Sequence, residues 1–133
     1  MRIQLFAVGR MKSGPERELA DRYFDRFAKV APPLGLEFGG VSEILESRAR
    51  DADQRRREEA AKLSESLGTG TLLILLDERG KNLSSQDFAV IIAKHRDSGA
   101  RAMTFAIGGA DGHAEESRQK AQMVISFGAM TFP

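Results

Sequence analysis

Cysteine and tryptophan are absent from this chain of 133 residues. Without cysteine the chain can form no disulfide framework, no thiolate metal site and no cysteine nucleophile. The two histidines, His95 and His113, lie far apart in the sequence, so a zinc site would need carboxylates for most of its ligands. We therefore expect no metal site.

Long apolar runs and an excess of one charge are also missing. The longest apolar run, residues 72–76, is far shorter than the roughly 20 residues that a membrane-spanning helix needs. Residues 1–5 lack the basic-then-apolar pattern of a signal peptide. We expect a cytoplasmic protein without a membrane partner. The 20 basic and 19 acidic residues leave a net charge of +1, so RNA binding would require local clustering of charge or a dimer.

Strand-like and helix-like segments alternate along the chain. Strands are predicted at residues 3–8, 36–41, 71–76, 102–107 and 124–127. Helices are predicted to begin near residues 14, 51, 84 and 115, and the last of them is predicted to end at residue 123. The run at 71–76 is apolar without alternation, as in a parallel strand that is covered on both faces. The alternation predicts a single α/β domain over residues 1–133, with a mainly parallel sheet and helices on both faces.

Two helices carry more specific patterns. Leu19, Tyr23 and Phe27, with Ala20 and Phe24 beside them, predict an apolar stripe on the first helix. The second helix, residues 51–67, is highly charged and is predicted to lie largely in solvent.

Three segments follow predicted strands, at residues 76–81, 107–112 and 128–133. In an open parallel sheet, ligands bind outside the carboxyl ends of the strands. Glycines in these segments let a ligand approach the backbone amides. Residues 108–112, Gly-Gly-Ala-Asp-Gly, match neither the dinucleotide fingerprint nor the Walker loop. Taken alone, such a loop is more typical of a tight turn between strand and helix.

Three ordered motifs nevertheless resemble those of one family. They are LDERGK at 76–81 with Ser84-Ser85 and Phe88-Ala89 after it, FAIGGADG at 105–112, and ISFGAMTFP at 125–133. The opening strand at 3–9 also fits, so the resemblance spans essentially the whole chain. The family is that of the RlmH-type ribosomal RNA methyltransferases, small single-domain members of the SPOUT class.

The resemblance implies a fold, a reaction and a cofactor site. It implies a homodimer with a trefoil knot near the C-terminus, in which S-adenosylmethionine binds. It implies methylation of N3 of a pseudouridine in helix 69 of 23S ribosomal RNA, on the assembled ribosome. Carried over by position, the cofactor-binding residues would be Leu76, Gly108, Gly109, Gly128, Ala129, Met130, Thr131, Phe132 and Pro133. Backbone groups are expected to make most of these contacts.

The chain departs from the family pattern at its end. Family members continue past the Thr-aromatic-Pro segment by roughly 20 to 30 residues, which is more than a typical helix. By resemblance that extension threads the knot, packs in the dimer interface and supplies polar groups to the reaction centre. We therefore expect an incomplete knot. Three readings stay open: an active methyltransferase, a truncated inactive homologue that only binds ligand or ribosome, and a generic α/β nucleotide-binding module.

The sequence assigns no catalytic residue. Methyl transfer requires in-line placement of the reactants, and the N3 proton requires a general base or stabilisation of the resulting anion. His113 could be the base or a surface histidine at a helix start, where the family usually has an apolar residue. Asp77 could orient the ligand or cap backbone amides. Arg79 and Lys81 could meet RNA phosphates or lie in a solvated loop.

A dense basic cluster lies at the start of the second helix. Its members are Arg48, Arg50, Arg55, Arg56 and Arg57. The cluster could contact RNA, but four acidic residues are interleaved with it. That interleaving favours an exposed helix with many ion pairs.

Overall fold

Strands and helices alternate in the computed structural model, which describes residues 1–132 of the chain. The strands are β1 (Arg2–Val8), β2 (Glu37–Ile44), β3 (Thr71–Asn82), β4 (Ala102–Ile107) and β5 (Met123–Ser126). The helices are α1 (Pro15–Val30), α2 (Ala52–Ser66), α3 (Ser85–Asp97) and α4 (Glu115–Lys120), and a short 3-10 helix (Pro32–Leu34) follows α1.

One sheet contains all five strands in the order β2-β1-β4-β3-β5, and every neighbouring pair is parallel. Ile74 of β3 packs on one face of the sheet with residues of α1 and α3. Leu73 and Leu75 pack on the other face with α2 and with the chain just after α4. Both faces of β3 are therefore covered, which explains its unbroken apolar run. The predicted α/β sheet with helices on both faces is confirmed, and the knot remains a prediction.

Two of the predicted helix starts, those of α2 and α3, have side-chain caps. The Asp51 carboxylate accepts a hydrogen bond from the Gln54 amide at 3.1 Å, at the first turn of α2. The Ser84 hydroxyl likewise accepts from the Asp87 amide at 3.0 Å, at the first turn of α3. Each cap satisfies an amide that has no partner within its helix.

Helix α1 is rotated relative to the stripe predicted from its sequence. Phe24 and Phe27 face the sheet, where their rings lie 5.3 and 6.0 Å from the ring of Phe38. Leu19 and Tyr23 are instead 51% and 56% exposed. The residues that face the sheet and the residues that are exposed form two rows. Both rows have helical spacing, and they lie next to each other on the helix surface. The partner strand, which the helix sequence does not reveal, selects the row that packs on the sheet.

Strand β3 runs beyond its predicted end at residue 76. Leu76 and Lys81 both align with Ile125 of β5, so residues 77–80 leave the ladder and return to it. We call this segment the β3 bulge. Gly80 permits the return because a Cβ at this position would lie 2.7 Å from the backbone carbonyl carbons of Val124 and Ile125.

Two further boundaries differ from prediction. Strand β2 continues to Ile44 rather than to residue 41, past Gly40, which adopts a φ of 93°. Helix α4 ends at Lys120 rather than at residue 123. It stops there because the chain turns into β5, and the Gln122 amide donates to the Leu73 carbonyl oxygen at 2.8 Å.

Neither a spanning helix nor a metal cluster is found in the part of the chain that the structure describes. No helix in residues 1–132 has the length and apolar character to cross a bilayer. Over the same residues, no three histidine, cysteine or acidic side chains are grouped so that they could hold a metal ion.

Candidate functional site

A cleft of about 720 Å³ opens at the carboxyl ends of β3, β4 and β5. Pockets that hold cofactors and other small molecules are typically about 300–1,000 Å³. Its walls come from the β3 bulge, the glycine-rich loop after β4 (residues 108–112) and the segment after β5. The three segments predicted to follow strands and form a site are thus adjacent in the fold.

Most of the predicted cofactor residues line this cleft. They are Leu76, Gly108, Gly109, Gly128, Met130, Thr131 and Phe132. Ala129 belongs to the same segment but is not part of the lining, and Pro133 lies outside the described residues. The cleft mouth is apolar and open, because Phe127, Met130 and Phe132 are each at least 65% exposed.

The glycine-rich loop closes on itself and packs tightly against the domain. The Gly112 amide donates to the Gly109 carbonyl oxygen at 3.0 Å, and Gly112 has a φ of +78°, which favours glycine. A Cβ at Gly109 would lie 3.0 Å from Val8 Cγ1 and 3.1 Å from Glu59 Oε1. A side chain at Gly109 would therefore require Val8 and Glu59 to shift by a few tenths of an ångström.

Asp77 holds the β3 bulge to helix α4. Its side chain is 8% exposed, accepts a hydrogen bond from the Arg79 amide at 2.8 Å and pairs with the Arg118 guanidinium. Burial alone would raise the pKa of Asp77, but the Arg79 amide and Arg118 outweigh it and hold the pKa below its usual value. Asp77 is thus ionised at neutral pH and caps a backbone amide, as one of its two predicted roles required.

His113 lines both the cleft and the cavity beside it, and its ring is partly buried. Its Nε2 is 3.2 Å from the Leu76 carbonyl oxygen, so the ring donates a hydrogen bond to that carbonyl. Burial lowers the pKa of His113, which makes the neutral imidazole the main form at neutral pH. In this arrangement the Nε2 proton fixes the end of β3 and leaves that nitrogen unable to accept a substrate proton.

Asp111, in the glycine-rich loop, is hydrogen-bonded by arginines of helix α2. Arg55 Nε and Nη2 donate to the two carboxylate oxygens of Asp111 at 2.6 and 3.0 Å. Hydrogen bonding to Arg55 lowers the pKa of Asp111. Arg56 Nη1 also donates to the Asp111 carbonyl oxygen at 3.2 Å. Arg56 also pairs with Asp53, one of the interleaved acids, so two members of the basic cluster make ion pairs within the domain.

The segment after β5 is tied to the β3 bulge. The Ser126 hydroxyl accepts a hydrogen bond from the Gly128 amide at 3.0 Å and lies 3.1 Å from the Glu78 carbonyl oxygen. Thr131 Oγ1 donates to Glu78 Oε2 at 2.6 Å. These contacts set the width of the cleft between the bulge and the segment that follows β5.

A second cavity of about 570 Å³ adjoins the cleft and shares Arg56, Arg79, Asp111 and His113 with it. Arg57 and Arg118 add two more guanidinium groups, and three further acidic side chains face them. The 69% exposed Arg79 side chain projects at this junction, 3.4 Å from Asp77. Cationic groups thus lie next to the cleft, balanced by acidic neighbours.

Comparison with known proteins identifies the fold around this cleft. A family profile described as "Predicted SPOUT methyltransferase" matches residues 1–133. This chain belongs to the SPOUT methyltransferase family. The family is one of enzymes, and the match covers the whole chain.

Close relatives share one printed name, "Ribosomal RNA large subunit methyltransferase H". The protein of that name from Mesorhizobium japonicum is 58% identical over 133 residues, covering 100% of this chain and 83% of the relative. Its namesake from Brucella anthropi is 57% identical with the same coverage, and that from Brucella abortus is 56% identical over 142 residues. The resemblance to the RlmH-type methyltransferases is confirmed.

The sequence did not reveal the contacts that hold the site together. Arg118 and Ser126 are distant in sequence from the β3 bulge that they bind, and no local pattern marks them. The sequence did contain a weak indication that Arg55 pairs with Asp111. Asp111 is the one charged residue in the glycine-rich loop, and α2 carries the densest group of arginines.

Proposed function

We propose that this SPOUT methyltransferase binds S-adenosylmethionine in the cleft and methylates N3 of a pseudouridine in helix 69 of 23S ribosomal RNA. We propose further that it acts as a homodimer, in the cytoplasm, on the assembled ribosome. The observation that carries the proposal is the convergence of all three family motifs around one cleft. The name shared by the relatives supports ribosomal RNA as the substrate.

The chemistry of the cleft fits this cofactor. Its volume suits a ligand of nucleoside size, and Leu76 and Ile107 offer apolar contacts for an adenine ring. The exposed carboxylate of Glu78 lies in the same lining and favours a ligand that carries positive charge, as the sulfonium and ammonium groups do, whereas the Asp77 carboxylate is already paired with Arg118. Gly108 and Gly109 present backbone groups without side chains between them and the ligand.

Each element of the cleft has a part in this proposal. When bound, S-adenosylmethionine supplies the methyl group that is transferred. The glycine-rich loop and the segment after β5 would hold its adenosine and methionine portions through backbone groups. Leu76, fixed by His113, would contact the adenine. Arg79 and Lys81 would bind RNA phosphates beside the cleft. No described residue is assigned as the base for the N3 proton.

Calorimetric titration with S-adenosylmethionine tests the cofactor, and a methylation assay on whole ribosomes tests the reaction. We expect stoichiometric binding and transfer of one labelled methyl group per ribosome. ATP is the control ligand, because a generic nucleotide-binding module would accept ATP without needing the methionine portion. Binding without methylation would support the inactive homologue instead, and equal binding of ATP would contradict the proposed cofactor.

A further inference from the structure

The position of the glycine-rich loop is set from outside the loop. Three of its five residues are glycine and one is alanine, so its own sequence restricts the backbone little. Asp111 carries the loop's one polar side chain. Both Asp111 carboxylate oxygens and its carbonyl oxygen are bound by arginines of α2. Through Asp111, α2 fixes one wall of the cleft.

Arg55 links this loop to a second segment. Its Nη1 donates to the carbonyl oxygens of Ala49 at 2.9 Å and Arg50 at 3.0 Å, in the connection between β2 and α2. Together with the two bonds to Asp111, these contacts engage four of the five N–H groups of the guanidinium. This set of hydrogen bonds requires the planar guanidinium group of arginine. Lysine has a single ammonium group and cannot form the same set.

We propose that Arg55 is a positioning residue that sets the affinity of the cleft for the cofactor by holding the glycine-rich loop in its binding geometry. This inference rests on the proposed function. A loop that is already fixed loses less conformational freedom when a ligand binds, and so binds more tightly. Arg55 acts through Asp111 and is not itself among the residues that line the cleft.

The test compares Arg55→Lys and Asp111→Asn with wild type, using the full chain. We expect each to weaken S-adenosylmethionine binding by about tenfold, the size of one charge-assisted hydrogen bond. The variant carrying both changes should bind no more weakly than either alone, because both remove the same contact. Turnover with saturating cofactor should change less than the KM for the cofactor does.

Arg17→Lys is the matched control. Arg17 Nη1 donates to Glu43 Oε1 at 2.7 Å and so links α1 to β2, away from the glycine-rich loop. Its conservative replacement should leave cofactor affinity unchanged.

Hydrogen exchange on the ligand-free chain provides a readout that does not need the cofactor. We expect Arg55→Lys to speed exchange at residues 109–112, while the thermal midpoint stays close to that of Arg17→Lys. Additive losses of affinity in the double variant, or unchanged affinity in both single variants, would overturn the inference. Absence of cofactor binding by wild type would instead refute the proposed function, whatever the exchange rates show. If Arg55→Lys fails to fold, hydrogen exchange at residues 109–112 in Asp111→Asn, which preserves side-chain volume, decides the question, because Asp111 itself lines the cleft and affinity alone would not separate positioning from direct contact.

Discussion

Glu59 is a buried carboxyl group directly beneath the glycine-rich loop. Its side chain is on the inner face of α2, and the residue is 7% exposed. Burial raises the pKa of Glu59, and the Ser47 amide, which donates a hydrogen bond to it, offsets only part of this effect. A group whose pKa is higher in the folded than in the unfolded chain stabilises the fold in its protonated form. That stabilisation is lost as pH rises through the folded-state pKa.

Glu59→Gln should therefore raise the free energy of unfolding at pH 7, by on the order of 1 kcal/mol, because it removes a charge from a buried position. The amide oxygen of glutamine can still accept from Ser47. Below the unfolded-state pKa of about 4.3, both carboxyl and amide are neutral and the advantage should vanish. Denaturant unfolding of wild type and Glu59→Gln, from pH 7 to below the unfolded-state pKa of about 4.3, measures this difference in the free energy of unfolding. The exposed Glu65→Gln on the same helix is the control, and a difference that does not vary with pH would contradict the prediction.

The β3 bulge belongs both to the cleft and to the sheet. It contributes Asp77 and Glu78 to the lining, and it rejoins the sheet where Gly80 touches the backbone of β5. Gly80→Ala should destabilise the fold by about 1–3 kcal/mol, since the added methyl group would force two backbones apart. Gly68→Ala is the matched control, because its Cβ would lie 3.7 Å from Thr71 Oγ1, an ordinary contact. Equal urea midpoints for the two variants would refute the expected clash.

The bounds of a helix or strand were predictable from sequence where one local signal determined them. The caps at Asp51 and Ser84 fix helix starts by themselves, and β4 (Ala102–Ile107) was predicted to the residue. Long-range contacts decided the rest. The row of α1 that packs on the sheet depends on Phe38, and the end of α4 depends on the hydrogen bond from Gln122 to β3. Such contacts leave no pattern within the element itself.

At the scale of the whole molecule, basic and acidic residues nearly balance. Attraction to RNA must therefore come from where the basic residues lie on the surface. The net charge is +1, and several arginines near the cleft are paired with acids. Arg79 and Lys81 are exposed beside the cleft. The site as a whole was predictable because three strand ends converge at one sheet edge, a property of parallel topology. The ion pairs Arg55–Asp111 and Arg118–Asp77 were not predictable, since each joins segments far apart in sequence.

Replacing Arg79 and Lys81 by alanine should weaken binding to the RNA that we propose as the substrate, helix 69, and flatten its salt dependence. Each lost phosphate contact is expected to reduce the slope of log affinity against log salt by about 0.7 to 0.9. Binding measured over a series of salt concentrations gives this slope. Lys94 and Arg101, exposed near the opposite edge of the sheet, form the matched control pair, and their replacement should leave the slope unchanged. An unaltered slope in the first variant would exclude these phosphate contacts.

The β3 bulge also separates the number of residues in a strand from the length of its hydrogen-bonded ladder, which are usually coupled in a sheet. Because Leu76 and Lys81 face the same residue of β5, the four residues between them add nothing to the length of the ladder. A change of loop length before Gly80 would reshape the cleft while every strand pair kept its partner. The chain has no cysteine, so one thiol introduced at Glu78 would be a unique attachment point for a fluorophore. The bulge is thus a place where the enzyme can be retuned or made to report on its ligand without rebuilding its core.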